Sequence, residues 1–464
     1  MRQQRRALRL AWSAAGLLLF LAGLAGWQSK IATDNERAAI EQKQIAEQQR
    51  DRAEKTLAAA TATANTLVRD LASEFRHRVG MPVDLVRKIL ERAQALQREL
   101  TDSGETAPEL RYSAAMALDE LVLTLSIQGD AAGAFAAAVQ SRDILENLLA
   151  GNPDNQAWQR SLAVIYGKIG EVFSLVGRRE EALTARGRSV KIFVELSNAD
   201  PSNVGRQADL SIGYGRLGDA LVEVGRRTQA IEAYRIALAL LEKLNAADPA
   251  NVDLQVSTSI THDRIGDVLR MDGRREEAIE AYRKSLVIRE NLVATDPDNT
   301  DWQRGLSISY ERVGDMLAAS KSQQEALEVY HKSLAIIARL AATDAGNGEW
   351  QRDLSVTHDR IGNVFLDMGR REDAVRTYRQ SLAIREGLAA ADAGNPQSQD
   401  DLVISLVKLA QAGDQPRAQY TRALAIGRRL DAEGVLTTSQ RNRIKMIEGA
   451  LAKLSDVVDA QPSR

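Results

Sequence analysis

The sequence predicts an all-α chain: a solenoid of helical hairpins, preceded by one membrane-spanning helix and a helical stalk. Three observations carry that expectation. Glycines recur every 48 residues at Gly170, Gly218, Gly266, Gly314 and Gly362. A second series, Gly129, Gly177, Gly225, Gly273 and Gly369, keeps the same spacing, with Lys321 in the one slot that lacks glycine. Residues 10–27, LAWSAAGLLLFLAGLAGW, carry no charge at all. A fixed period of this size marks stacked supersecondary units, each burying a face only against its neighbours.

The chain begins with a basic tail, residues 1–9, containing Arg2, Arg5, Arg6 and Arg9. The uncharged stretch at 10–27 is just long enough to cross a bilayer core, with Trp12 and Trp27 where interfacial aromatics belong. By the positive-inside rule the N-terminus is cytoplasmic and everything after Trp27 is exported. A cleaved signal peptide, with Gly23-Leu24-Ala25 as cleavage site, is the competing reading. Residues 28–66 read as a polar helical stalk. Ala39, Ala46, Ala53 and Ala60 are spaced by seven, which suits either a dimeric coiled coil or a single solvated helix. Residues 67–104 read as a capping hairpin turning at Gly80-Met81-Pro82.

The solenoid occupies 105–434 in about seven repeats, starting near 105, 153, 201, 249, 297, 345 and 393. The first has Val122 where later copies have glycine, and the last is shortened. Residues 435–464 read as a C-terminal capping helix with Ile444, Ile447 and Leu451, then a disordered tail. Within one copy, His262 to Asn299, apolar residues recur at helical spacing on both sides of Gly273. That glycine closes the first helix in a left-handed conformation. Glu276 and Glu277 sit in the first turn of the second helix, where carboxylates complement free amides, and Asp296-Pro297 stops it.

The unit resembles the tetratricopeptide repeat. That family's aromatic, aliphatic-glycine, alanine, aromatic and small slots hold His262, Ile265, Gly266, Ala278, Tyr282 and Ser285, and in the preceding copy Tyr214, Leu217, Gly218, Ala230, Tyr234 and Ala237. The usual unit has about 34 residues, so roughly two extra turns lengthen each helix. The extra part carries Trp158, Trp302 and Trp350. The resemblance implies a right-handed solenoid that binds a protein or peptide and is not an enzyme. The layout of anchor, stalk and long repeats also resembles bacterial proteins that place a TIR or caspase-like effector before the membrane segment. Only nine residues precede the span here. This implies a sensor arm or scaffold in a bacterial inner membrane, with the solenoid periplasmic. An envelope assembly scaffold and a secreted periplasmic binding protein are the alternatives.

A net charge of −2 gives no bulk attraction to nucleic acid, which is not an expected partner. The absence of cysteine excludes disulfides and thiolate chemistry. No motif for catalysis, metal or cofactor is present. Of the histidines His77, His262, His331 and His358, two fill the slot held elsewhere by Tyr166, Tyr214 and Tyr310. The informative features are charged rows on the first helices. Directly after the repeat glycine stand Glu171, Asp219, Asp267, Asp315 and Asn363. Four residues upstream of three of these stand Asp263, Glu311 and Asp359, on the same helix face. Lys168, Arg216, Arg264, Arg312 and Arg360 lie three residues before the first row and can pair with it. Two readings stay open: ion pairs that hold neighbouring helices in register, or a carboxylate-lined groove for a cationic or amide-rich partner. Arginine pairs at the turns, such as Arg274-Arg275, read as solvated because acids follow most of them.

Overall fold

The structure, a computed structural model, describes residues 2–76 and 108–459. The turn and second helix of the hairpin expected at 67–104 lie outside these residues, as does the tail after 459. Sixteen helices make up the described secondary structure. The described residues form an all-helical fold of consecutive hairpins. Two compact units, 1–192 and 193–464, divide it.

In the first unit α1 (Arg2–Arg76) is one unbroken helix where the sequence predicts a span, a stalk and the start of a hairpin. Neither proline nor glycine occurs between Trp27 and Arg76, so nothing interrupts it. Among the described residues no helix is long and apolar enough to cross a membrane, so the span expected at 10–27 is not supported there. Most side chains of residues 10–19 lie outside the described ones. Phe20, Leu21, Leu24 and Trp27 are exposed. Further along, Ala64 is buried where α1 packs on α2 (Pro108–Ile127). The core of this unit joins α2 to α3 (Ala131–Gly151), α4 (Gln156–Leu175) and the start of α5 (Arg179–Ala199). Leu121, Leu145, Trp158, Ile165 and Ile169 form its centre.

The second unit continues through the end of α5 with α6 (Val204–Glu223), α7 (Arg227–Ala247), α8 (Val252–Met271) and α9 (Arg275–Thr295). It goes on with α10 (Thr300–Ala319), α11 (Gln323–Thr343), α12 (Gly348–Asp367) and α13 (Arg371–Ala391). It closes with α14 (Pro396–Gln411), α15 (Pro416–Ala432) and α16 (Thr438–Asp459). From α6 onward each helix packs on the next, and α16 buries Ile447 against Leu406, Tyr420 and Ala423.

Both glycine series have a geometric cause. The second series sits at left-handed φ, 74° at Gly273. There Gly273 N–H bonds the Arg270 carbonyl at 3.1 Å and Arg274 N–H bonds that of Leu269 at 2.9 Å, which closes the helix end. Lys321 takes the same conformation at φ 62°. The first series marks close approach: a Cβ on Gly218 would lie 2.4 Å from the Tyr234 ring. Gly266, Gly314 and Gly362 face Tyr282, Tyr330 and Tyr378 in the same way. Where the slot holds Val122, the residue sixteen further on is Ala138 instead of tyrosine, and both are buried. A small residue on one helix thus goes with a large one on its partner.

Two further series fix the joints between repeats. Asn155, Asn203, Asn251, Asn299, Asn347 and Asn395 cap the first helix of each hairpin, each side chain accepting from a backbone N–H two or three residues on. Four residues after each cap a glutamine turns back. Gln159, Gln207, Gln255 and Gln303 donate to the carbonyls of Pro153, Pro201, Pro249 and Pro297. Gln351 and Gln399 reach Ala341 and Ala389 instead.

Candidate functional site

The charged rows meet across repeats. On the second helix of each hairpin a buried tyrosine donates its hydroxyl to the residue after the repeat glycine. Tyr234 bonds Asp219 at 2.7 Å, Tyr282 bonds Asp267 at 2.7 Å, Tyr330 bonds Asp315 at 2.6 Å and Tyr378 bonds Asn363 at 2.8 Å. Each acceptor also takes a cation from the following repeat. Arg264 sits 2.9 Å from Asp219 and Arg360 2.9 Å from Asp315. Arg312 spans two acids, 2.6 Å from Asp263 and 3.5 Å from Asp267. Lys408 ends the row, 2.7 Å from the Asn363 amide oxygen. In the first unit Lys168 lies 2.7 Å from Asp119, at the offset that Arg312 keeps to Asp263.

At Lys168, Arg264, Arg312 and Arg360 the basic row therefore pairs 45 or 49 residues back in the chain. The expected partner, the acid three residues ahead on the same helix, is not the one it takes. Successive first helices stack side by side, which puts a cation of one level with the acids of its predecessor. Glu171, the remaining member of the first row, is exposed on α4.

The upstream row lies deeper. Asp263 is 3% exposed, Asp359 5% and Glu311 8%. Asp263 is held by Arg289 at 2.8 Å and Asp359 by Arg385 at 3.0 Å, both arginines arising from the second helix. These arginines also cross to the next repeat, donating to the carbonyls of Gly305 at 2.7 Å and Asp401 at 2.9 Å. Glu311 has Ile337 at the equivalent place, and takes Arg360 at 2.9 Å and the Thr357 hydroxyl. Burial pushes the carboxyls of Asp263 and Glu311 upward, opposed by their arginines. Burial pushes the Lys408 ammonium down, with Asp359 pulling it back.

One row was absent from the sequence reading. Seven residues before Asp219, Asp267, Asp315 and Asn363 stand Ile212, Ile260, Ile308 and Val356, with Ile404 at the same slot on α14. Ile212 is 51% exposed and Ile260 39%, and the other three are half-buried. Seven residues are two helical turns, so this aliphatic row shares the face of the paired charges. Period-48 spacing was the signal that could have found it. Arg289 and Arg385 were also missed, because Leu241 and Ile337 at their slot make it read as core. Among the described residues no group of three or more His, Asp or Glu is placed to hold a metal ion.

Comparison with known proteins agrees on the family. Residues 257–332 and 357–390 match tetratricopeptide repeat models. No curated protein matches the chain. Among solved structures, the apo form of RapI is similar at 12% identity over 84% of this chain and 99% of that one, with a TM-score of 0.49. A signal-transduction ATPase with a tetratricopeptide repeat sensor from Pyrococcus horikoshii is similar at 12% identity, covering 83% and 52%, with a TM-score of 0.49. A tetratricopeptide repeat protein from Parabacteroides merdae is similar at 12% identity, covering 72% and 99%, with a TM-score of 0.39. With the family matches falling on hairpins that carry the glycine, alanine and tyrosine slots in register, the chain is a tetratricopeptide-repeat protein.

Proposed function

We propose that this protein is a membrane-tethered scaffold that seats a protein segment along the first-helix face of residues 204–411. One observation carries the reading: an aliphatic row, exposed at Ile212 and Ile260, repeats along a face whose charges are already paired. Exposed apolar residues scattered singly mean little, whereas a row on one face marks a contact surface. Capture from bacterial membranes with the full chain, parent against the double variant Ile212→Asp and Ile260→Asp, tests it. A partner bound by the parent and lost by the variant at unchanged thermal unfolding is the expected result. Equal capture by both overturns the seat.

A cationic segment is the second reading of the same face. It is favoured because Asp219, Asp267 and Asp315 keep about a third of their side-chain surface open beside their arginines. Replacing all three by Asn then weakens capture in a salt-sensitive way on an intact fold. A fall in thermal stability without that salt dependence marks the acids as register pairs only.

The tether is residues 10–27, supported by the exposed Phe20, Leu21, Leu24 and Trp27 of α1 and by four arginines before them. On this reading the solenoid is periplasmic and acts as the sensor arm or assembly scaffold of an envelope system. The exposed Ala39, Ala46 and Ala53 leave α1 free to pair with a second copy. A reporter active only outside the cytoplasm, fused after Arg464, should be active. Activity from a cytoplasm-dependent reporter instead would reverse the topology.

A further inference from the structure

We infer that two hairpins, α8–α9 and α12–α13, are acid-sensitive: protonation of His262 and His358 loosens them, while the hairpin between, α10–α11, stays closed. The slot four residues before the repeat glycine explains the difference. In α10 it holds Tyr310, whose hydroxyl donates to Glu290 of the preceding helix at 2.6 Å, with Lys332 of α11 over its ring at 5.5 Å. In α4 it holds Tyr166, which donates to Glu146 at 2.5 Å under Arg188 at 5.5 Å. These phenols carry their own acceptor and stay neutral, because burial pushes their ionisation upward.

The imidazoles at the same slot are placed differently. His262 is 7% exposed. The charge that acts on it is Lys284 of α9; Glu242 of α7, at the register of Glu290, is exposed, and the adjacent Asp263 is already held by Arg289 and Arg312. His358 is half-buried, and its Nδ1 has no hydrogen-bond partner among the described residues. Ala338 and Gln380 stand at the registers of Glu290 and Lys332, so the charge nearest His358 is Asp359, held by Arg385. A second proton on either ring would be buried, repelled by Lys284 at His262 and, at His358, beside an acid that Arg385 already holds.

Burial, assisted by Lys284, pushes His262 down to about 4, and burial pushes His358 down against the pull of Asp359. The unfolded imidazole takes its proton near 6.5. Between that value and about 4 the unfolded chain holds more protons than the folded one, so stability falls as pH falls. The carboxyls of Asp263 and Glu311 act in the opposite sense, since their raised folded values favour the folded state on acidification. Loss of protection in this window therefore points to the rings.

Hydrogen exchange of the full chain in detergent, at pH 7.5 and 5.0 with rates corrected for intrinsic chemistry, reads each hairpin separately. One buried imidazole can raise local opening by up to about 30-fold over that interval. The expected result is a larger rise for 252–295 and 348–391 than for 300–343. In His262→Tyr, which restores the residue type of the neighbouring repeats, the excess at 252–295 disappears while that at 348–391 remains. Should the phenol disturb folding, His262→Phe removes the titrating group without needing an acceptor and carries the same expectation. An equal response of all three hairpins, or an undiminished excess in both variants, overturns the inference.

Discussion

Two neighbouring repeats, 297–344 and 345–392, share one frame and satisfy a buried carboxylate in different directions. In the second, the short side chain of Asp359 meets Arg385, which rises from the second helix of the same hairpin. In the first, Ile337 occupies the arginine's place, and Glu311, one methylene longer, reaches forward to Arg360 and Thr357 of the next repeat. The same charge therefore binds a hairpin together in one repeat and binds two repeats together in the other. The turns differ as well, with Gly369 at φ 73° and Lys321 at φ 62°. What the pair teaches is that the 48-residue frame fixes where a charge stands, and its partner decides which joint it strengthens.

The largest expected effect breaks the comparison at its arginine. Arg385→Met leaves the buried Asp359 without its guanidinium, which costs about 3–5 kcal/mol. Urea unfolding checks it, and a loss under about 1 kcal/mol would mean that the hairpin is not held by this pair. A second experiment asks what the repeats have in common. Gly362→Ala places a methyl 2.5 Å from the Tyr378 ring, and Gly314→Ala places one 2.6 Å from that of Tyr330. Each should cost about 1–3 kcal/mol by overpacking, less what alanine returns in helix propensity. Near-equal thermal shifts would show the glycine–tyrosine contact to be common to both repeats. The smallest effect has the opposite sign. Lys321→Gly removes a side chain from left-handed backbone and should gain about 1 kcal/mol. Gly369→Lys should lose a similar amount, and failure of that mirror relation would place the cost outside the turn.

Most of the fold was legible because the period repeats its own evidence. Gly273 and its counterparts announced helix ends, and the 48-residue recurrence of Gly218 and its counterparts announced stacked units. The asparagine caps and glutamine tethers were equally periodic, yet polar residues in a turn look ordinary until their acceptors are seen. The site was legible in position and only partly in pairing. Spacing along one helix showed that Arg264 and Asp267 share a face, but the partner of Arg264 is Asp219, 45 residues earlier. That choice depends on how helices stack, which no window of a single helix contains. Arg289 and Arg385 were hidden for a related reason: two arginines among aliphatic residues at one slot look like noise until their carboxylates are placed.

The constant offset of the inter-repeat pairs has a consequence for how such a chain changes length. Excision of residues 249–296 would bring Arg312 against Asp219 at the same 45-residue distance that Arg264 keeps now. Duplication of that block would regenerate the pair in the same way. Recombination between frames can therefore lengthen or shorten the array by whole units without inventing a new contact, and the aliphatic row gains or loses one rung each time. Reach becomes a heritable quantity that varies in fixed steps, separately from the chemistry that holds each step in place.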